Sequence, residues 1–191
     1  YYKNSGVIMD LKDIETQGHC ALNPVAFEEN KYQIKKVANP KKVVIIGGGI
    51  GGMETARLCA MMGHKVDLYE KTDRLGGVFI AAAAPEFKEK DKDLIKWYCT
   101  QIAKLPISVH LNTEVKDISK LDADEIVIAT GSKVRKLPII GFEKGVEAVD
   151  FLLGNKEVGE TVAVIGGGLT GCEIAYDLAR KGKKPFIVEM A

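Results

Sequence analysis

Two glycine-rich loops constrain this chain more than any other feature: Gly47-x-Gly49-x-x-Gly52 and Gly166-x-Gly168-x-x-Gly171. Each follows a short apolar run, Val43-Val44-Ile45-Ile46 in the first case and Thr161-Val162-Ala163-Val164-Ile165 in the second, and each opens a helical pattern. A continuous apolar run ending in glycines is what a central parallel strand, covered on both faces, looks like in sequence. The first glycine permits the tight turn after the strand. The second lets backbone approach a pyrophosphate, and the third lets the helix sit close to the strand. N–H groups at the helix N-terminus, with its partial positive charge, then face the phosphates.

Both copies end in an acid at the same distance from the first glycine, Glu70 after Gly47 and Glu189 after Gly166. A carboxylate there accepts hydrogen bonds from the ribose hydroxyls of an adenosine. Both also place an alanine four residues after the third glycine, Ala56 and Ala175, which keeps the next helical turn thin against the sheet. A single G-x-G-x-x-G is often an ordinary turn; two copies, each between strand and helix and each closed by an acid, point to dinucleotides.

The remaining pattern fits one α/β architecture. Helices are expected over 50–62, about 87–103 and 169–180, and strands over 43–46, 66–70, 107–111, 125–129, 161–165 and 185–189. Leu94, Tyr98 and Ile102 form the apolar stripe of the middle helix. Gly63 and Gly182 are placed as helix stops. The fold class is therefore α/β, a Rossmann-like parallel sheet of the two-dinucleotide-binding type, incomplete because a full second unit needs further strands. Residues 1–40, broken by glycine and proline, read as a connector arm. Residues 41–135 read as the first nucleotide unit, 136–160 as a crossover linker, and 161–191 as the opening half of the second unit.

With 191 residues, 46% of them hydrophobic, the chain can bury a real core, and a net charge of +1 with interspersed signs gives neither a basic stripe for nucleic acid nor a polybasic membrane patch. No apolar run approaches a membrane span and no signal peptide is visible, so a cytoplasmic protein is expected. The absence of an initiating Met and the end of the sequence two residues after Glu189 make the chain read as a fragment of a longer protein. Its four cysteines, Cys20, Cys59, Cys99 and Cys172, form no C-x-x-C pair, which argues against a zinc site or a redox dithiol. Cys59, Cys99 and Cys172 read as core residues. His19, His64 and His110 read as turn or surface residues, and no catalytic acid, base or nucleophile is assigned.

With Arg74-Leu75-Gly76-Gly77 after the first acid and Ala129-Thr130-Gly131 ending a strand, the chain resembles the flavoproteins with two dinucleotide-binding domains. That resemblance implies FAD on the first unit and NAD(P)H on the second. It implies Gly47, Gly49, Ile50, Gly51 and Gly52 at the FAD pyrophosphate, Glu70 with adjoining Lys71 at the ribose, and Arg74, Gly76 and Gly77 along the phosphates. Val115 would lie near the adenine, and Ala129, Thr130 and Gly131 would mark the crossover. Gly166, Gly168, Leu169, Thr170, Gly171 and Glu189 would hold the nicotinamide nucleotide. A 2′-phosphate about 5 Å from Glu189 would be repelled by about 3 kcal/mol per unit charge, favouring NADH, with NADPH the alternative. Arg180, Lys181, Lys183 and Lys184 are placed to offset that repulsion, although a solvated basic helix end explains them more simply.

His19-Cys20-Ala21-Leu22-Asn23-Pro24 is similar to the segment supplying the last cluster cysteine in the old-yellow-enzyme-like reductases, the group of 2,4-dienoyl-CoA reductase, 2-enoate reductase and trimethylamine dehydrogenase. This implies Cys20 as one ligand of a 4Fe-4S cluster, and an upstream FMN-containing barrel that holds the small-molecule substrate. The other three cluster cysteines and the barrel are not in this sequence, and one thiolate cannot hold a cubane. The expected parent enzyme passes hydride from NADH to FAD and electrons through the cluster to FMN, reducing an enoate or enoyl-CoA type alkene. The alternatives are an electron donor like the glutamate synthase small subunit or ferredoxin-NADP reductase, and a nucleotide-binding module inactive alone. The chain by itself is expected to bind flavin weakly or not at all and to oxidise NADH negligibly.

Overall fold

The computed structural model describes residues 20, 23, 25–26, 28–135 and 137–190. His19, Ala21, Leu22 and Pro24 of the connector motif lie outside the described residues. From residue 28 to residue 40 the chain makes turns, bends and irregular segments without a strand or helix.

The first unit is built on strand β1 (Lys42–Ile46), whose residues Val43 to Ile46 are all buried. It pairs in parallel with β2 (Lys65–Tyr69) on one side and β4 (Glu125–Ile128) on the other, while β3 (Ile107–His110) adds to β2, giving the order β3-β2-β1-β4. A strand that is apolar on both faces belongs in the middle of such a sheet. Helix α1 (Ile50–Met62) covers it. Met53, Ala56 and Ala60 pack against Val43, Ile45, Val66 and Leu68, and Ala56 is wholly buried, as its small side chain allows.

Gly63 closes α1 in the left-handed region at φ 97°, where its N–H donates to the Ala60 carbonyl and that of His64 to Cys59. These two bonds form a Schellman motif. His64 then accepts a hydrogen bond from the Lys41 N–H at 3.0 Å, tying the helix end to the start of β1.

Helix α2 (Phe79–Ala82) and a 3-10 turn (Glu86–Lys88) precede α3 (Glu89–Lys104). The turn and α3, a single helix from about residue 87 by sequence pattern, are distinct elements, and Pro85, which cannot continue a helix from before it, separates them from α2. Tyr98 and Ile102 are buried against α1 and Leu94 packs beside them. Also facing α3, Arg57 makes two 2.8 Å bonds to Glu54 and lies over the Trp97 ring.

After β4 comes the crossover, with a 3-10 turn (Phe142–Lys144) and α4 (Ala148–Leu152). The second unit consists of β5 (Thr161–Ile165), α5 (Leu169–Arg180) and β6 (Lys184–Val188), the two strands pairing in parallel as a separate sheet. Ile174 and Leu178 fix α5 to it, and Lys183 holds the crossover by donating to the Val158 carbonyl at 2.8 Å. No helix among the described residues is long and apolar enough to cross a membrane.

Candidate nucleotide-binding sites

The first glycine loop is packed from three directions. Gly47 takes φ 111°, a conformation that favours glycine, and a Cβ on it would stand 2.3 Å from the Ala129 carbonyl oxygen. A Cβ on Gly52 would stand 1.8 Å from the carbonyl oxygen of Gly47, so α1 can start this close to β1 only without one. The loop of residues 74–77 lies directly on these glycines. The Gly76 N–H donates to the Gly48 carbonyl at 2.8 Å, and a Cβ on Gly77 would reach 2.9 Å from the Gly49 Cα. By contrast, a Cβ on Gly51 meets nothing within 4 Å. The N-cap of α1 is Gly49, which has no side chain to accept from the first amides, and no acid stands in the first turn. An uncapped, acid-free helix start of this kind, bordered by glycines, fits an anionic phosphate group.

Glu70 directly follows β2, with 6% of its surface exposed. Oε2 accepts from the Gly48 N–H at 2.7 Å, and Oε1 accepts from both the Thr72 N–H and the Thr72 hydroxyl at 2.8 Å. Burial works to raise its pKa. The donations from Thr72 and Gly48, with the Lys71 charge, outweigh burial and hold the carboxyl below the ordinary glutamate value. The Thr72 hydroxyl also lies 2.9 Å from the Arg74 carbonyl, linking the acid to the 74–77 loop. Behind it, the N–H groups of Asn112 and Thr113 donate to the carbonyls of Thr72 and Glu70, which brings half-buried Val115 to the same end of the sheet. Lys71 and Arg74 are exposed, as are Thr130 and Gly131 beyond β4.

The second loop repeats the first. Gly166 takes φ 105° and donates to Val188 at 2.8 Å, as Gly47 donates to Tyr69 at 2.7 Å. A Cβ on Gly171 would stand 1.9 Å from the Gly166 carbonyl oxygen. The Gly167 N–H donates to Oε2 of Glu189, the counterpart of the Gly48–Glu70 bond. The copies differ in their surroundings. Among the described residues β5 has a strand on one side only, Glu189 is exposed, and its Oε1 accepts from Met190 instead of a threonine. Leu169 and Thr170 are exposed at the helix start, beside an open cleft of about 1000 Å³ that Val134, Leu137, Phe142 and Val164 also border.

Three residues outside the sequence-based selection therefore belong to these sites. Gly48 and Gly167 occupy variable positions of the fingerprint, yet their N–H groups carry the bonds to the acids, and a Cβ on Gly48 would lie 2.5 Å from Leu75. Three consecutive glycines in both copies were the available signal. Thr72 had none.

One cysteine departs from its expected place in the core. Cys172 is exposed, its Sγ 3.2 Å from the Gly167 carbonyl, because α5 turns Ile174 and Leu178 to the sheet instead. Cys59 and Cys99 are half-buried, and burial raises both thiol pKa values. His110 lies in β3, within the strand expected over 107–111; its Nε2 is 2.7 Å from Asp67 and its ring stacks on Tyr69. Cys20 is exposed, and among the described residues no group of three or more His, Cys, Asp or Glu side chains is arranged to hold a metal.

Residues 92–191 match the family model described as pyridine nucleotide-disulphide oxidoreductase, and residues 45–90 match the NAD(P)-binding Rossmann-like domain. The chain is 46% identical over 173 residues to a cinnamate reductase of Clostridium sporogenes, covering 90% of this chain and 26% of that protein. It is 41% identical over 180 residues to an NADH oxidase of Thermoanaerobacter brockii, covering 90% of this chain and 28% of the relative. Among solved structures, a 2-naphthoyl-CoA reductase complex superposes with a TM-score of 0.82 at 34% identity, covering 88% of this chain and 26% of that one. The chain thus spans about a quarter of the length of these relatives.

Proposed function

The chain belongs to the pyridine nucleotide-disulphide oxidoreductase family and corresponds to the FAD- and NAD(P)-binding part of the old-yellow-enzyme-like and enoate-reductase flavoproteins; from that premise we propose that it is the electron-entry region of a flavin-dependent reductase. Within it, the first loop holds FAD and the second a nicotinamide nucleotide. The observation that carries this reading is the repeated bond between the middle glycine N–H and the strand-end acid, Gly48 to Glu70 and Gly167 to Glu189. It fixes a carboxylate beside each uncapped helix start, so one site offers an acceptor for ribose hydroxyls and donors for phosphate.

In the first unit Gly47, Gly49, Ile50, Gly51 and Gly52 would line the pyrophosphate, with Glu70 and Lys71 at the ribose. Arg74, Gly76 and Gly77 would close over the phosphates, and Val115, Ala129, Thr130 and Gly131 would complete the border. In the second unit Gly166, Gly168, Leu169, Thr170 and Gly171 would take the phosphates and Glu189 the ribose, where its charge disfavours a 2′-phosphate and so favours NADH. Cys20 would contribute one thiolate to an iron-sulfur cluster whose other ligands are not in this sequence. When bound, these groups supply hydride acceptance from NADH and one-electron delivery towards an FMN barrel that reduces an enoate or enoyl-CoA type alkene. This chain's own residues bind and orient; no proton-transfer residue is required of them.

ADP, the half common to both nucleotides, is the direct probe. Titrating the isotope-labelled chain with ADP should shift the amide resonances of residues 47–52 and 166–171 saturably. Saturable shifts confined to other residues, or none at millimolar ADP, would overturn the assignment.

A further inference from the structure

The first and second units meet along a short seam in which three consecutive residues face one stripe of a helix. Glu86 of the 3-10 turn lies 3.8 Å from Arg180, the Phe87 ring meets Tyr176 edge-on at 5.2 Å, and Lys88 donates to Glu173 at 2.7 Å. Residues 173, 176 and 180 recur at helical spacing on a single face of α5, so the turn and the helix match residue for residue. The Arg180 guanidinium also lies over the Tyr176 ring, 5.9 Å from its centroid.

The three contacts are unequal. Glu86 and Arg180 are exposed, and a solvated pair at this distance contributes little. Lys88 and Glu173 are 17% and 28% exposed, so their short bond forms in a less screened setting and is the directional contact. The signs alternate along the seam: acid to base at one end, base to acid at the other. Sliding α5 by one turn sets Phe87 opposite charged Glu173 or Arg180 and breaks both ion pairs. The seam therefore has one favourable register.

We propose that Glu86, Phe87 and Lys88 form a register-specific clasp on α5 that sets the angle between the two nucleotide-binding units, with Lys88 and Glu173 as its positioning residues. The consequence for hydride transfer, a fixed approach of one nucleotide towards the other, rests on the function proposed above.

Residual dipolar couplings of the full chain, measured without nucleotide, test the clasp independently of nucleotide binding. In the parent chain residues 42–128 and 161–188 should report one common alignment. Lys88→Glu and the milder Lys88→Met should make the two sets diverge, with the open population rising about fivefold for Lys88→Glu. Backbone shifts within each unit should stay unchanged, and the exchanged pair Lys88→Glu with Glu173→Lys should restore the common alignment. Unchanged alignment in both single variants, or an exchanged pair that behaves like Lys88→Glu alone, would overturn the proposal. Should Lys88→Glu disturb folding, Lys88→Met decides. A chain that fails to bind ADP yet shows this pattern retains the clasp and loses only the nucleotide assignment.

Discussion

The N–H of Gly48 donates at 2.7 Å to Oε2 of Glu70, a carboxylate 22 positions further along the chain and almost sealed from solvent. With Thr72 supplying two donors to the other oxygen, this acid holds the end of β2 to the loop after β1 before any ligand is considered.

Glu70→Gln should therefore destabilise the chain despite its matching shape. The glutamine carbonyl can take the Thr72 donors, but its NH2 group then faces the Gly48 N–H, leaving a buried donor unmatched at a cost of about 1–3 kcal/mol. Urea unfolding measures this directly. A variant as stable as the parent would show that the bond contributes nothing.

The same group gives a pH dependence with a defined sign. Its folded pKa lies below the ordinary value of 4.5, so the native state holds the proton less tightly than the unfolded chain. The stabilisation is complete above that ordinary value and is lost as pH falls through the depressed one. Unfolding midpoints taken at successively lower pH should fall less steeply for Glu70→Gln than for the parent across this acid range. Parallel curves would assign the acid sensitivity to other carboxylates.

The glycines should separate by position. Gly52→Ala and Gly171→Ala each drive a Cβ into a backbone oxygen less than 2 Å away, and such overpacking against main chain costs about 3 kcal/mol. Gly51→Ala meets open space inside a helix and should gain up to about 1 kcal/mol. On the proposed reading, Gly51→Ala nevertheless weakens ADP binding at the first loop, because its methyl group enters the phosphate approach. Thermal melts and ADP titrations on the same samples separate the two effects.

Thr72→Val keeps the side-chain shape and removes the hydroxyl that touches both Glu70 and the Arg74 carbonyl. A loss of about 1 kcal/mol is expected. Exchange of the Gly76 amide, which donates to Gly48, should accelerate more than that of amides in β1. Equal acceleration at both places would mean that Thr72 stabilises the whole unit and not the loop.

Much of this architecture is legible in the sequence because it rests on strong local signals. β1 and β5 are short apolar runs ending in glycine, and α1 and α5 begin at those glycines, so their bounds agree with the structure to within a residue. α2 and α4, of four and five residues, are too short for helical periodicity to register. Thr72 was invisible for a different reason: its role depends on where Glu70 turns after β2, which no spacing rule encodes. Cys172 was misread because position on a fingerprint helix does not tell which face meets the sheet. The Lys88–Glu173 pair joins residues 85 positions apart, a distance over which local pattern carries no information.

The central strand of the first sheet has a further consequence for how the protein is made. β2 follows β1 closely in the chain, yet β4 pairs with β1 from the far side, and Lys42 and Asp124 at the edge of that pairing are 82 positions apart. Until residue 128 emerges, one edge of a fully apolar strand stays open to any other extended chain. Parallel pairing over such a separation is slow, because a long loop must close before the contacts that reward it form. That edge is thus open while α3 and β3 are being synthesised, and four residues, Glu125 to Ile128, close it.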